Sequence, residues 1–339
     1  MPVFSILTAT YNHEKYIREC ILSVINQTFT DWEMIILDDG STDKTGETAR
    51  QFQEKDPRIR YHYQQNKGIF RLPETNNSGL QISNGKYISI LEGDDTWEPE
   101  KLQKQFDLLD KNPEAVLCWG RIAVFSSETG KVIRIGPPVE QAIPSSWKND
   151  PPGTVIGDLL YDNFIGAATI SIRKSALFEI GGFQMVPGFP LTDYPTILKL
   201  ATTGPFVFCP EIISGYRTFS RQVSKEYISR IMEKRIQFSR DFIDSLSPEM
   251  RSRFSVNKKQ LEHHLRRRTL VNLVVSGRHD LIRKEYSSAR NNFRNAMFYP
   301  YTVTPVWRIL ALTGILLSCL HLDMEIFINL IGHPTYSEG

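Results

Sequence analysis

Short apolar runs of strand length alternate with amphipathic stretches along the first hundred or so residues. Val3 to Thr10 is apolar enough for a buried strand and is broken by Tyr11-Asn12-His13-Glu14. Ile17, Ile21, Val24 and Ile25 then recur at helical spacing up to Gln27. Glu33 to Leu37 predicts a second buried strand. It runs into Asp38-Asp39-Gly40-Ser41-Thr42-Asp43, a turn with a glycine for positive φ and small polar residues able to cap a helix over Asp43 to Lys55. A third strand is expected over Arg58 to Tyr63, a polar loop over Gln64 to Thr75, a helix up to Asn84 and a fourth strand over Tyr87 to Leu91. Strands alternating with helices across short loops predict an α/β fold with a parallel, doubly wound sheet. Ligands of such sheets gather beyond the carboxyl ends of the strands.

Further along the pattern loosens. Glu98 to Lys111 reads as a helix with Leu102, Phe106 and Leu109 inward, Ala115 to Phe125 as a strand, and Lys131 to Ile135 as its hairpin partner. Gly136 to Gly153 has no period and predicts an irregular excursion. Ala168 to Ile172 is a further strand, Gly181-Gly182-Phe183 a turn and Thr192 to Ala201 a short helix. Tyr227 to Tyr299 is helical and rich in Lys and Arg, including Arg266-Arg267-Arg268. The tail from Val303 to Ile331 is apolar but interrupted by Pro305, Arg308, Gly314, His321, Asp323 and Glu325. Those interruptions make a spanning helix a poor reading. Packing on the body or lying in a membrane interface, helped by the basic helices before it, are the alternatives.

Composition narrows the classes. At 339 residues with a net charge of +2, the chain has length for a sizeable core and no global charge calling for nucleic acid. Cys20, Cys118, Cys209 and Cys319 lie far apart in apolar surroundings, without CxxC spacing, and are expected to be buried, reduced thiols in a reducing compartment. Met1-Pro2 leads straight into a strand, so a signal peptide is not expected and the cytoplasm is the expected location. Neither GxGxxG after the first strand nor GxxxxGK[ST] occurs, which argues against a dinucleotide fold and a P-loop NTPase.

The chemistry concentrates at Ile90-Leu91-Glu92-Gly93-Asp94-Asp95-Thr96-Trp97. Three acids in four residues repel one another unless a positive charge sits among them, and oxygen ligands at a strand tip suit magnesium or manganese. Alone, the triplet reads as a solvated turn leading into a helix. Its neighbours change that reading, because Thr10-Tyr11-Asn12 and Asp38-Asp39 end two other strands of the same sheet and converge on the same edge.

On these residues the chain resembles the family 2 glycosyltransferases, which carry the GT-A fold. The segments that match, in order, are Thr8-Ala9-Thr10-Tyr11-Asn12, Asp38 to Asp43, Asn66-Lys67-Gly68, Gly85-Lys86-Tyr87-Ile88, Glu92 to Asp95, Ile180-Gly181-Gly182-Phe183, Asp193, and Tyr216-Arg217 with Ser224 downstream. The resemblance spans Pro2 to Ser224 and implies a catalytic domain over residues 1–224, its nucleotide-sugar half at 1–112 and acceptor half at 113–224. A helical region over 225–339 lies outside it. It implies a mostly parallel central sheet flanked by helices and a donor site formed by Thr8, Thr10, Tyr11, Asn12, Asp39, Asn66, Gly68, Asn77, Asp94 and Arg217. Within that site Tyr11 and Asp39 meet the base and Arg217 the diphosphate. A divalent cation, Mn or Mg, would sit on Asp94 with Asp95 or Glu92, and Asp193 would be the catalytic base of an inverting transfer.

The chain departs from the family pattern at Glu92, where Asp is usual, at Thr192, where a second acid precedes the base, and at Phe219, often His. No Gln-x-x-Arg-Trp signature of processive synthases occurs. The implied activity is nonprocessive transfer from a nucleotide-diphosphate sugar, UDP-linked by family habit, to a glycan or lipid-linked acceptor in bacterial surface polysaccharide synthesis, at the inner face of the membrane. The alternatives are a degenerate scaffold that binds nucleotide without turnover and a sugar nucleotidyltransferase. The second would require a Gly-, Arg- and Lys-containing loop where Thr10-Tyr11-Asn12-His13 stands.

Overall fold

The computed structural model describes residues 1–138, 144–219, 228–299 and 305–322. The chain forms two compact units, one of residues 1–219 with 245–255, the other of 220–244 with 256–339.

In the first unit, β1 (Phe4–Thr10), β2 (Trp32–Asp38), β3 (Ile59–Tyr63) and β4 (Tyr87–Ile90) lie parallel in the order β3-β2-β1-β4. The helices α1 (Ile17–Ile25), α2 (Thr45–Lys55) and α3 (Leu72–Ile82) connect them. β2 is buried at every position, as a parallel strand covered on both faces requires. Phe4, Ile6, Met34 and Ile36 share one core with Ile17, Cys20, Ile21 and Val24 of α1. The register pairs Thr10 with Asp38 and Asp38 with Tyr63, so the three strands end level. Gly93 N–H donates to the Ala9 carbonyl at 3.0 Å and Asp39 N–H to that of Thr10 at 2.9 Å, carrying the ladder into the polar turns.

Beyond β4 the sheet is mixed. β5 (Thr96–Trp97) leads to α4 (Lys101–Lys111), followed by the hairpin of β6 (Leu117–Ser126) and β7 (Val132–Gly136). Next come α5 (Ile156–Tyr161), β8 (Ser171–Arg173), α6 (Lys174–Glu179), α7 (Asp193–Leu200) and β9 (Phe206–Thr218). β8 is antiparallel to both β4 and β6, β9 is parallel to β6, and β5 pairs antiparallel with β9.

Three features depart from the sequence pattern. β9 is the longest strand described but was not expected from its sequence. Pro210 interrupts it, and the β6–β9 register shifts nearby, between Gly120 and Ile122. The two residues of β5 are too few for any period. The expected loop over Gln64 to Thr75 already turns helical at Ile69, as a 3-10 turn over Ile69–Arg71 that leads into α3, with Pro73 in the first turn of α3 where its missing N–H costs nothing.

The second unit is helical, with α8 (Ile228–Ser245), α10 (Lys258–Ile282), α11 (Tyr286–Met297) and α12 (Pro305–Cys319). The short α9 (Pro248–Ser252) between them belongs to the first unit. Asn257 caps α10, its side chain accepting from the N–H groups of Lys259 and Gln260. Leu270, Leu273, Val274, Ala289, Phe293 and Ala311 form the core. The Phe293 ring lies against Gly277 of α10 and Gly314 of α12, where a Cβ would come within 2.9 Å and 2.4 Å of it. Among the described residues no helix is long and apolar enough to cross a membrane. Of the expected tail, residues 305–319 are helix, and 323–331 lie outside the described residues. Cys20, Cys118 and Cys209 are free and buried, but Cys319 is exposed, against expectation, on the uncovered side of α12.

Candidate active site

Two acidic turns and the end of β1 meet at the carboxyl edge of the parallel strands. Thr8 and Thr10 of β1 are buried. The Thr8 hydroxyl has no partner, and that of Thr10 lies 3.2 Å from His13 Nδ1. Tyr11 follows, with 47% of its surface exposed. Asn12 adopts φ 53° and accepts from Thr42 N–H at 2.9 Å, while its own N–H donates to Ser41 Oγ at 2.9 Å. These bonds tie the β1 turn to the β2 turn.

In the β2 turn both carboxylates are well supplied with donors. Asp38 accepts from Ser41 N–H at 2.8 Å and from the Tyr61 hydroxyl at 2.7 Å, and burial, followed by this bond to Asp38, pushes the Tyr61 phenol up. Asp39 Oδ1 accepts from Gln64 Nε2 at 2.6 Å and Lys67 N–H at 2.9 Å, and Oδ2 accepts from Gly68 N–H at 3.0 Å. Asn66 Nδ2 donates to the Asp39 carbonyl at 2.7 Å. Asp39, Asn66 and Gly68 therefore build one loop. A carboxylate has about four lone-pair positions, so one on Oδ2 is left facing outward from this set.

The β4 turn is different. Gly93 sits where a Cβ would meet Thr10 Oγ1 at 2.5 Å and His13 Nδ1 at 2.9 Å, so only glycine lets the acids close on β1. Burial, then the charges of Asp94 and Asp193, push the Glu92 carboxyl up to about 8. Asp95 is 2% exposed and accepts one bond, from Arg217 N–H at 2.9 Å. Burial, followed by Asp94 and Glu92, holds it well above the usual carboxylate range. Asp94 is half-buried and offers its carbonyl to Arg217 Nε at 2.8 Å.

Arg217 of β9 is buried between the rings of Tyr16 and Phe125, 4.9 Å and 4.6 Å from their centroids, and donates to Glu19 Oε2 at 2.6 Å. It thus clamps α1 to the acidic turn. Phe219, at the position where the family often has His, stacks on Tyr16 at 5.6 Å.

Asp193 opens α7, half-buried, and accepts from Asn163 Nδ2 at 3.2 Å. Its charge is felt at Glu92, which places it on the same edge. The amide oxygen of Asn163 and the hydroxyl of Thr192 are buried without a partner. Asn77 stands apart from the edge in its bonding. Its amide exchanges two hydrogen bonds with the main chain of Phe183, at 2.8 Å and 2.9 Å, bracing the Gly181-Gly182 turn.

The acids suit a hard divalent cation by their chemistry, since they leave several negative groups around one buried guanidinium. Among the described residues no three His, Cys, Asp or Glu side chains are grouped so as to hold a metal ion by themselves. Magnesium-type sites often use only one or two carboxylates and complete their shell with water and substrate phosphate, and Asp94 with Glu92 fits that pattern.

Asn163, Glu19 and Tyr16 are the site neighbours that sequence reasoning missed. Asn163 precedes Asp193 by 30 residues with no motif around it, and Glu19 reads as an ordinary acid in the first turn of a helix.

The chain is similar to a Bacillus subtilis protein named as a teichuronic acid biosynthesis glycosyltransferase, TuaG, at 29% identity over 225 residues, 66% of this chain and 82% of that one. It is 38% identical over 211 residues to the chondroitin synthase of Escherichia coli, covering 61% of this chain but 27% of that one. It spans less than half the length of several other curated relatives. Among solved structures, the mannosyltransferase PcManGT from Pyrobaculum calidifontis, in complex with GDP-Man and Mn2+, superposes with a TM-score of 0.56 at 15% identity, over 94% of this chain and 86% of that one. That likeness shows a shared GT-A fold. A related fold thus holds a divalent cation beside a nucleotide sugar, and the family model described as "Glycosyl transferase family 2" matches residues 5–177, half of the chain, so the chain belongs to that family.

Proposed function

We propose that this glycosyltransferase moves one sugar per encounter, with inversion, from a UDP-linked donor to a glycan or lipid-linked acceptor of a bacterial surface polysaccharide. The observation that carries the reading is the shared edge, with an acidic turn short of donors and, close enough to be felt at Glu92, a carboxylate held by an amide.

Tyr11, exposed at the end of β1, offers its ring to the base, and the remaining Oδ2 position of Asp39 suits an imide N–H. Thr8, Thr10, Asn12, Asn66 and Gly68 shape the cleft around the donor. Asn77 is assigned to bracing the Gly182 turn. Asp94, with Glu92 beside it, would hold a manganese or magnesium ion, which when bound neutralises the diphosphate. Asp95 and Arg217 keep that turn in place through β9. Asp193 takes the proton of the acceptor hydroxyl as its oxygen attacks the anomeric carbon, and the bond to the diphosphate breaks on the opposite face.

Calorimetric titration of UDP, GDP and dTDP, each with and without manganese, tests the donor half without an acceptor. The expected result is UDP binding that strengthens at least about tenfold with the metal. Binding of GDP alone would overturn the donor assignment, and metal-independent binding would overturn the cation. UDP binding with no nucleotide release in the presence of donor sugar and acceptor glycolipid extract would move the reading to the scaffold.

A further inference from the structure

The helical unit presents a surface that sugar transfer does not use. α12 turns Ala311, Leu317 and Ser318 into its own unit and leaves the opposite side uncovered. That side carries Val306, Ile309, Leu312 and Leu316, with Ile309 61% exposed, and Leu320 just past the end of the helix is 66% exposed. At 3.6 residues per turn the four helix positions span an arc of roughly 120° of the surface, bordered by Leu317, which is buried in the unit's core. The arc has no acid, and the one charged residue of α12 is Arg308, itself exposed.

Charge and length select the medium. The helical unit, residues 220–244 and 256–339, has 17 Lys and Arg against 10 Asp and Glu, whereas the remainder of the chain has 23 against 28. The unit bearing the apolar arc is therefore net positive by seven and the catalytic unit net negative by five. The 15 residues of α12 rise about 22 Å, short of the ~30 Å hydrocarbon core of a bilayer. A helix of this length lies along a membrane rather than through it.

We infer that the outer arc of α12 seats in the boundary between headgroups and acyl chains of a bilayer containing anionic lipid. The apolar side chains enter the boundary while the basic helices of the same unit meet the negative headgroups.

Cosedimentation of the full chain with phosphatidylcholine vesicles, with and without phosphatidylglycerol and at low and high salt, tests this. Binding is expected to rise at least about tenfold with phosphatidylglycerol and to weaken with salt. The variant I309Q/L312Q/L316Q, altered only at exposed positions, is expected to lose about tenfold or more of vesicle binding. Its melting temperature and UDP titration should match the parent, which separates a failure here from a failure of the donor assignment. An environment-sensitive dye on Cys319, the exposed thiol on α12, should shift to the blue with vesicles. Equal pelleting of parent and triple variant overturns the inference, as does no binding to phosphatidylglycerol vesicles. A parent dimer that the triple variant turns into a monomer, without vesicle binding, would give the arc to a second copy.

Discussion

The two acidic turns at the carboxyl edge look alike in sequence and behave oppositely in the fold. Asp38 and Asp39 receive five hydrogen bonds from Ser41, Tyr61, Gln64, Lys67 and Gly68. Glu92, Asp94 and Asp95 receive, from other residues among those described, one bond to a carboxylate, from Arg217 N–H. The first turn has satisfied its charge internally and works as a strut for the donor loop. The second holds negative charge that its own hydrogen bonds do not compensate, and Glu92 and Asp95 respond by gripping their protons. A run of acids is therefore no signal of cation binding by itself. What distinguishes the two is the supply of N–H and O–H donors, and that depends on the elements packed around each turn.

The comparison is broken most directly at the edge where the second turn meets Asp193. Asp193→Asn is expected to lower the transfer rate by about 10²–10⁴ while UDP binding is kept, and an unchanged rate of nucleotide release with acceptor would remove the base assignment. Asp94→Asn should remove metal-stimulated UDP binding, a loss of about a hundredfold, with little change in melting temperature.

At the first turn the expected damage is to the fold. Asp39→Asn leaves one carbonyl oxygen where two carboxylate oxygens held three donors, costing roughly 2–3 kcal/mol by urea unfolding. If Asp39→Asn proves as stable as the parent, the strut description is wrong. The sign should reverse at Glu92→Gln, which removes the cost of protonating that buried carboxyl on folding and raises metal-free stability at neutral pH by roughly 1 kcal/mol.

A buried charge of the other sign sharpens the same contrast. Lys101 is fully buried over the Trp97 ring and donates to Gln105 Oε1 at 2.6 Å, and burial lowers its ammonium to about 7. The folded chain releases this proton near 7 and the unfolded chain only near 10.4, so the unfolded state binds more protons in between and stability rises with pH. Above about 8.5 the effect is opposed, because thiols ionise in the unfolded chain while burial suppresses ionisation of Cys20, Cys118 and Cys209 in the fold. From pH 7 to 8.5 Glu92 and Asp95, protonated in the fold and ionised in the unfolded chain, make stability fall with pH, so the Lys101 contribution of up to about 2 kcal/mol over that range is read as a difference in unfolding: Lys101→Met should lose stability more steeply than the parent as pH rises.

Much of the parallel half was legible because its signals are local. The strands end in polar turns, the helices between them have a clear apolar stripe, and the match of segments from Thr8 to Arg217 is ordered along the chain. The mixed half was less so. β9 hides behind Pro210, and β5 exists only because two residues pair with Gly215 and Ser214, more than a hundred positions away. Within the site, Asn77 stood in line with the donor residues, yet its amide is committed to Phe183. Arg217, expected at the diphosphate, holds Glu19 and the Asp94 carbonyl between two aromatic rings. Neither bond has a sequence spacing from which it could be read.

By itself the sequence determined the alternation of strands and helices, the family and the residue types at the strand ends. Those follow from periodicity, turn chemistry and short motifs, each acting within a few residues. Only the tertiary structure decided which acids are satisfied by donors and which hold their protons, that Asn163 holds Asp193, and that one side of α12 stays uncovered. Each of these depends on which groups from distant elements arrive within about 3 Å of one another, and hydrogen bonding and desolvation at that range set the charge a side chain carries.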